Sequence, residues 1–217
     1  MIKRSFALLL SCLLLMLLCT GCGGFDAAGY VKAVMDNFYL DDSAAYVDIV
    51  DTTAEQAHQT YLDGLSTEVQ IFYNYMSIDP ETVKEQTAER VLELYNQIYK
   101  RAKYEIEPAK KTGGGYDVLV RVYPLDLFDQ SLDDLNDYVH RFHTALENGD
   151  HIGKSTSYLA TAYQNEILSI LERHLETIGY LGPVELTVKI EKDAGEAWGM
   201  SDEDLQKIDE QIIHYTQ

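Results

Sequence analysis

Two periods of hydrophobic residues run along this chain, and they constrain its fold more than any other feature. Long stretches carry apolar side chains at helical spacing, whereas residues 104–123 and 183–192 contain short stretches that alternate apolar and polar side chains. Helices are therefore expected before each alternating stretch, which differs from the regular strand-helix alternation of a parallel sheet. We predict an α+β fold that is rich in helix, with long amphipathic helices packed on a small antiparallel sheet.

Capping residues mark where the helices of the first half should begin. The helices before residue 104 are predicted to start after Asp26, after Ser43, at a capping box of Thr53 with Gln56, and at Asp79-Pro80. The helix after Thr53 should run to about Met76. Its inward stripe should contain Ala57, Tyr61, Leu65, Val69, Phe72 and Met76.

The alternating stretches predict a hairpin and a further strand. Tyr104–Glu107 should pair with Tyr116–Tyr123 through a turn at Thr112–Gly115. The next strand, Pro183–Lys192, should have one buried face and one exposed face. A turn at 193–195 would then return Trp198 to the sheet.

The second half contains three predicted helices. Ser131 with Asp134 should cap one that ends at Asn148-Gly149, and a long helix should follow from about Ser157. Ser201 with Asp204 should cap the last. We treat residues 26–217 as a single α+β domain, and leave open a two-fold internal repeat of 26–126 and 127–217.

The N-terminal segment is typical of an export signal. Lys3 and Arg4 precede an almost unbroken apolar run, Phe6–Leu18, that is too short to span a bilayer unaided. Residues 1–21 are therefore predicted to be a signal peptide. Alternatives are an ordinary secretory signal that is cut elsewhere and an uncleaved N-terminal anchor.

The residues after this run, Leu18-Cys19-Thr20-Gly21-Cys22, resemble the bacterial lipobox. The resemblance implies that Cys22 receives a diacylglyceryl group, becomes the mature N-terminus and carries lipid, with residues 22–25 as a short linker. Lipoboxes prefer leucine three residues before the cysteine, where this chain has Cys19. Two acyl chains hold a protein firmly on a membrane, whereas one chain binds only marginally.

Composition narrows the chemistry of the exported body. The three cysteines are Cys12, Cys19 and Cys22, so a disulfide, a cysteine-ligated zinc or a cysteine nucleophile is excluded beyond Cys22. The formal net charge is −19, and the body after Cys22 is more acidic still because Lys3 and Arg4 precede it. Such a chain is repelled by phosphates, so we expect no nucleic-acid partner.

Three features of the sequence occur together: the lipobox, the opening at 25–31 and a closing strand, 184–190, that leads to Trp198 and a short acidic helix. In these features the chain resembles an uncharacterised family of Firmicutes lipoproteins built on a domain of unknown function. The resemblance implies a protein anchored on the extracellular face of a Gram-positive cell membrane, and it brings no catalytic residues. The closing pattern is also similar to cystatin-like α+β domains of exported proteins.

One set of residues could bind a metal. Asp137, His140, His143 and Glu147 fall at helical spacing on one stripe, and imidazole and carboxylate groups are ligands for zinc and other divalent ions. The alternative is a solvated polar face, because one helix stripe seldom brings more than two ligands together and the HExxH spacing is absent. His151 is the nearest additional ligand in the sequence.

Other candidates are less specific. His174 lies among apolar residues of its helix, and a hydrogen-bonded histidine at the core edge is favoured over a catalytic base. Gly113–Gly115 lacks the lysine and following helix of a phosphate-binding loop, so a hairpin turn is favoured. The 16 tyrosines could line a sugar or peptide groove, although core spacing explains several of them.

The leading functional hypothesis is a non-enzymatic, lipid-anchored module that binds an unknown protein or small-molecule partner through its helical surface, without a cofactor. The rival is a metal-dependent hydrolase that acts on cell-envelope material through His140 and His143. A third possibility is the solute receptor of an importer, which usually needs two α/β lobes that this order of elements does not predict.

Overall fold

The computed structural model describes residues 24–216. The predicted signal peptide, 1–21, and Cys22 lie outside the described residues. Within the described range, the helices are α1 (Ala27–Leu40), α2 (Ala44–Val50), α3 (Ala54–Tyr75), α4 (Glu85–Tyr99), α5 (Leu127–Glu147), α6 (Thr156–Leu175) and α7 (Asp202–Ile212). The strands are β1 (Lys103–Ile106), β2 (Lys110–Lys111), β3 (Gly115–Tyr123), β4 (Val184–Lys192) and β5 (Trp198–Met200).

The strands form one small sheet in the order β1-β3-β4-β5, with β2 paired to β3. The pairs β2–β3, β3–β4 and β4–β5 are antiparallel. The α+β prediction is confirmed, as are the hairpin, the alternating strand at 184–192 and the return of Trp198 to the sheet. In the part of the chain from 24 to 216, no helix is long and apolar enough to cross a membrane.

The described chain divides into two units, each assembled from segments that are distant in sequence. The first unit contains residues 24–64, Lys103–Val122 and Val184–Asp209, and so includes α1, α2 and the sheet. Its core is formed by the inward valines of β3 with Val188 and Ile190 of β4, all of which are almost completely buried. Tyr104 on β1 donates a hydrogen bond to Asp36 on α1 at 2.7 Å.

The second unit contains Leu65–Ala102, Tyr123–Pro183 and the C-terminal residues from Glu210. Helix α6 contacts both α4 and α5, and its inward residues Ile167, Leu168 and Leu171 are fully buried. The units do not follow the sequence halves 26–126 and 127–217. Both the single-domain prediction and the internal repeat stay predictions.

Several predicted caps are present in the structure. The Asp26 carboxylate accepts the backbone N–H of Gly29 at 2.9 Å, at the start of α1. Thr53 and Gln56 form the reciprocal pair of a capping box, with bonds of 3.2 and 3.3 Å. The predicted inward stripe of α3, from Ala57 to Met76, is buried throughout.

The predicted cap at Asp79 and the first helical position at Pro80 are present, but they begin a short 3-10 helix and not the long helix α4. Pro80–Thr82 forms one 3-10 turn capped by the Asp79 side chain, and the chain is extended at Val83 and Lys84 before α4 begins at Glu85. The turn closes on itself because Thr82 donates both its N–H and its hydroxyl to the Asp79 carbonyl, at 3.0 and 2.7 Å.

The predicted cap at Ser131 was wrong, whereas the prediction that a helix begins directly after Ser43 is confirmed without its capping bond. Ser131 lies inside α5, which begins at Leu127, and its hydroxyl donates to the Leu127 carbonyl at 2.8 Å from a fully buried position. Ser43 precedes α2 but forms no capping bond; the Asp42 carboxylate accepts the N–H of Ala44 instead, at 3.2 Å. A serine hydroxyl bonds a nearby backbone carbonyl as readily as it caps a helix, so sequence alone does not decide between them.

Asp204 on α7 accepts a hydrogen bond from a backbone N–H of β4, at a position that the short strand β5 does not reach. Its carboxylate accepts the backbone N–H of Lys189 at 3.0 Å, while its own N–H donates to the Ser201 hydroxyl at 3.1 Å. Asp204 is only 8% exposed, so its carboxylate stabilises the β4 edge inside the protein.

We expect Asp204→Ala to lower the free energy of unfolding by about 1 kcal/mol, because it leaves the part-buried N–H of Lys189 without its acceptor. Glu203→Ala is the matched control, since Glu203 also contacts Lys207 but is exposed. Urea unfolding followed by circular dichroism measures both. Equal losses in the two variants would contradict the role assigned to Asp204.

Candidate functional site

The predicted metal stripe lies on the solvent side of α5. Asp137, His140, His143 and Glu147 are all exposed, and His143 has a ring contact with its neighbour Phe142. Among residues 24–216, no group of three or more His, Cys, Asp or Glu side chains is arranged to hold a metal ion. The metal hypothesis gains no support from this geometry and stays a prediction.

His174 lies at the edge of the second unit and is hydrogen-bonded. One of its ring nitrogens, Nε2, lies 2.9 Å from the Asp134 carboxylate of α5, and the histidine side chain is 23% exposed. This pair lowers the pKa of Asp134. The arrangement agrees with a histidine at the core edge, although it is half-buried rather than buried.

Packing explains why one residue of the predicted turn, Gly115, is a glycine. A Cβ on Gly115 would lie 2.1 Å from the Ile190 carbonyl oxygen, so the close approach of β3 to β4 requires glycine there. Gly113 and Gly114 are exposed. These contacts fit the predicted hairpin turn.

A buried carboxyl that the sequence analysis did not single out lies in the second unit. Glu68 on α3 is 5% exposed and accepts hydrogen bonds from the hydroxyls of Tyr99 and Tyr215, at 3.1 and 2.5 Å. The Tyr95 hydroxyl lies 2.8 Å from that of Tyr215. We call Glu68, Tyr95, Tyr99 and Tyr215 the Glu68 cluster; it connects α3, α4 and the C-terminal segment.

Burial controls the electrostatics of this cluster. Burial raises the pKa of Glu68, and the hydrogen bonds from Tyr215 and Tyr99 offset only part of that rise. Burial also raises the pKa of Tyr95 and Tyr215 well above the usual value. Glu68 is almost completely buried, and the hydrogen bond that it accepts from Tyr215 joins the C-terminal segment to α3. Glu68 lies at helical spacing from the predicted inward residues Leu65 and Phe72. This spacing could have identified Glu68 as a buried residue from the sequence.

A groove lies between α4 and α6 in the second unit. Its volume is about 330 Å³, within the range of small-ligand sites. Its floor contains the side chains of Leu94 and Leu175, which are 2% and 5% exposed. Its remaining lining residues are Arg90, Glu93, Gln97, Arg101, Glu172 and Glu176.

The charges around this groove are partly compensated. Arg90 forms two 2.6 Å bonds with the Glu172 carboxylate, and this bidentate pair raises the pKa of Arg90. Arg101 donates to the Gln97 carbonyl at 2.6 Å. Hydrogen bonds from Asn96 and Gln97 lower the pKa of Glu93, which keeps its carboxylate ionised. With Arg90 and Glu172 paired, Glu93 and Glu176 outweigh Arg101 and leave the rim acidic.

Sequence reasoning could not find this groove. Arg90 and Glu172 are separated by more than 80 residues and meet only because α4 packs on α6. In the sequence, neither residue differs from an ordinary charged residue on an amphipathic helix. The groove is therefore a product of tertiary packing.

No family model and no curated protein sequence matches this chain. A solved structure with a similar fold is a candidate lipoprotein, ycdA, from Bacillus subtilis subsp. subtilis strain 168, with a TM-score of 0.60 and 14% sequence identity. The similarity covers 88% of this chain and 56% of ycdA, so the chain spans just over half the length of that protein. At this identity the likeness shows a common fold alone.

We expect the contribution of Glu68 to the stability of the protein to fall as the pH rises above about 4.5, the ordinary pKa of glutamate, because the raised pKa means that native Glu68 holds its proton more tightly than unfolded Glu68. This contribution is fully present below the unfolded pKa and is lost as the pH rises through the folded pKa. Each tenfold difference in proton affinity between the two states is equivalent to about 1.4 kcal/mol. Glu68→Gln should remove this dependence on pH.

Urea unfolding between pH 4 and pH 9 compares this variant with the wild type and with Glu89→Gln, which removes an exposed glutamate from α4. The Glu89 control should keep the wild-type slope of stability against pH. A wild-type slope in the Glu68 variant would contradict the assigned rise in the pKa of Glu68.

Proposed function

We propose that this chain is a lipoprotein, tethered to the extracellular face of the cell membrane by a diacylglyceryl thioether on Cys22, and that it acts as a non-enzymatic binding module. The observation that carries the tether is the apolar run, Phe6–Leu18, followed by a small-residue segment that ends at Cys22. The common fold with ycdA, described as a candidate lipoprotein, supports the same proposal.

The tether has a direct test. The mature wild-type protein should begin at Cys22, carry the mass of a diacylglyceryl group and separate with the membrane fraction, because two acyl chains bind a bilayer firmly. Cys22→Ala should lose both the lipid mass and the membrane association. Intact-mass spectrometry of the purified protein is the measurement. An unmodified N-terminus downstream of residue 22 would overturn the tether.

The groove between α4 and α6 is our choice for the binding surface. It combines an apolar floor, at Leu94 and Leu175, with an acidic rim at Glu93 and Glu176. The whole chain has a net charge of −19, which favours encounter with cationic partners. We therefore assign the partner to a class that carries an apolar group beside a positive charge, such as a basic segment of another protein.

A peptide of alternating lysine and leucine is the probe for this groove. Isothermal titration calorimetry should show binding that weakens with salt, and the double variant Glu93→Gln, Glu176→Gln should lose about 1 kcal/mol, roughly fivefold in Kd, because exposed charge pairs contribute little each.

The matched control is Glu81→Gln, Asp133→Asn, which removes the same charge from exposed positions of the same unit. This control should bind as the wild type does. An equal loss of affinity in both double variants would mean that the peptide is attracted by the overall negative charge and not by the groove. If the wild type does not bind the peptide, the groove is not the binding surface.

A measurement of the melting temperature distinguishes the metal-dependent hydrolase from the binding module. In our proposal, added zinc or manganese leaves the melting temperature unchanged, because exposed stripe residues on one helix do not converge on an ion. A rise in the melting temperature that the double variant His140→Ala, His143→Ala abolishes would favour the hydrolase instead.

A further inference from the structure

Three aromatic side chains meet where the described chain begins. Phe25 stacks on Trp198 with ring centroids 5.4 Å apart and an interplanar angle of 18°. Tyr116 meets the Trp198 ring edge-on at 5.2 Å and lies 6.1 Å from the Phe25 ring. All three side chains are half-exposed. This contact joins Phe25, near the start of the described residues, to the sheet.

Strand register brings two turns to the same place. Gly115 pairs with Glu191 across β3 and β4, and Lys192 pairs with Trp198 across β4 and β5. The turn before β3, 112–114, and the turn between β4 and β5, 193–197, therefore lie at one end of the sheet. A Cβ on Gly24 would be 3.4 Å from the Tyr116 hydroxyl, so the first described residue lies at this end too.

The length of chain before this end is short. From Cys22 to Gly24 there are two residues, which span at most roughly 7 Å when fully extended. A lipid on Cys22 would therefore hold the end of the sheet within about one headgroup layer of the acyl chains. A long linker would leave the orientation of the unit free, whereas this one does not.

The chemistry of this end suits a bilayer surface. Tryptophan and tyrosine are enriched at membrane interfaces because they combine an apolar ring with a polar group. Lys110, Lys111 and Lys192 are exposed here, and Lys192 lies over the Trp198 ring at 5.4 Å and pairs with Glu196 at 2.7 Å. Lysine stems cover apolar surface while the ammonium group stays in water or among headgroups.

The local charge is also unusual for this chain. Between residues 110 and 116 and between 190 and 198, the three lysines are matched by Glu191, Asp193 and Glu196. The nearby carboxylate of Asp26 is engaged as the N-cap of α1. In a chain of net charge −19, these two segments are close to neutral. An approach to anionic headgroups therefore meets less repulsion at this end than over the chain as a whole.

We infer that this end of the first unit is a membrane-docking surface, formed by Phe25, Tyr116, Trp198 and the three lysines, which rests on the lipid headgroups and orients the unit. The inference depends on the proposed lipid tether. Its occupant is the bilayer itself, since the chain that precedes Gly24 leads to the lipidated cysteine.

The sequence provides an intrinsic probe, because Trp198 is the only tryptophan. The full lipidated protein is reconstituted in vesicles of phosphatidylcholine with phosphatidylglycerol, and quenching of Trp198 fluorescence by aqueous iodide and by brominated lipid is measured. On vesicles, iodide quenching should fall by about twofold or more and brominated lipid should quench, because the bilayer covers the ring from one side. In detergent-free Cys22→Ala protein mixed with the same vesicles, both effects should be much weaker.

Single cysteines give a second measurement that does not disturb the aromatic contacts. Ala194→Cys and Gly113→Cys place the only free thiol of the mature chain in the two exposed turns. Glu185→Cys is the control within the same unit, because this exposed residue pairs with Arg121 at the opposite end of β4 from Glu191. An environment-sensitive fluorophore on either turn should shift to the blue on vesicles. The label at 185 should not.

The outcomes separate the tether from the docking surface. If intact-mass spectrometry shows lipid and the protein floats with vesicles, but Trp198 and both turn labels stay exposed, the docking surface is overturned and the tether stands. Missing lipid mass overturns the tether itself. Blue shifts that appear without vesicles and grow with protein concentration would assign this surface to a second copy of the chain, and would overturn the inference.

Discussion

The pairing of β3 with β4 is the interaction on which the first unit depends. It joins strands that are more than 60 residues apart, from Gly115↔Glu191 to Val122↔Val184, and buries Val118 against Val188. A slip of one residue would turn the buried valines to solvent, so burial defines the register. The same register places two turns beside Phe25, and through them it decides which end of the sheet adjoins Gly24 and Phe25.

In the second unit, buried polar groups help to hold segments that are distant in sequence together. The body beyond Cys22 has no thiol for cross-linking, so the C-terminal segment is held by packing and by hydrogen bonds to Glu68. A buried carboxyl is costly unless its oxygens are satisfied, and the hydroxyls of Tyr99 and Tyr215 meet that need. This explains part of the high tyrosine content: these rings fill the core while their hydroxyls bond one another and the carboxylate.

Local sequence signals found the elements better than the sites. The capping box at Thr53 was visible because its partners are three residues apart, whereas Ser131 was misread because a serine hydroxyl can also bond a carbonyl within its own helix. The stripe from Asp137 to Glu147 was readable as one face of α5, and the structure leaves that face in solvent. The groove residues Arg90 and Glu172 had no sequence signal, since neither has its partner nearby in the chain.

The sequence by itself determined the α+β class, the alternating faces of β3 and β4, the thiol-free acidic body and the expectation of a lipid on Cys22. These properties depend on local periodicity, composition and a contiguous motif, which a linear reading contains. Only the tertiary structure decided that Phe25 stacks on Trp198, that Glu68 is enclosed by tyrosines and that α4 and α6 form a groove. Those contacts join residues distant along the chain, and their geometry is set by how whole elements pack rather than by any single segment.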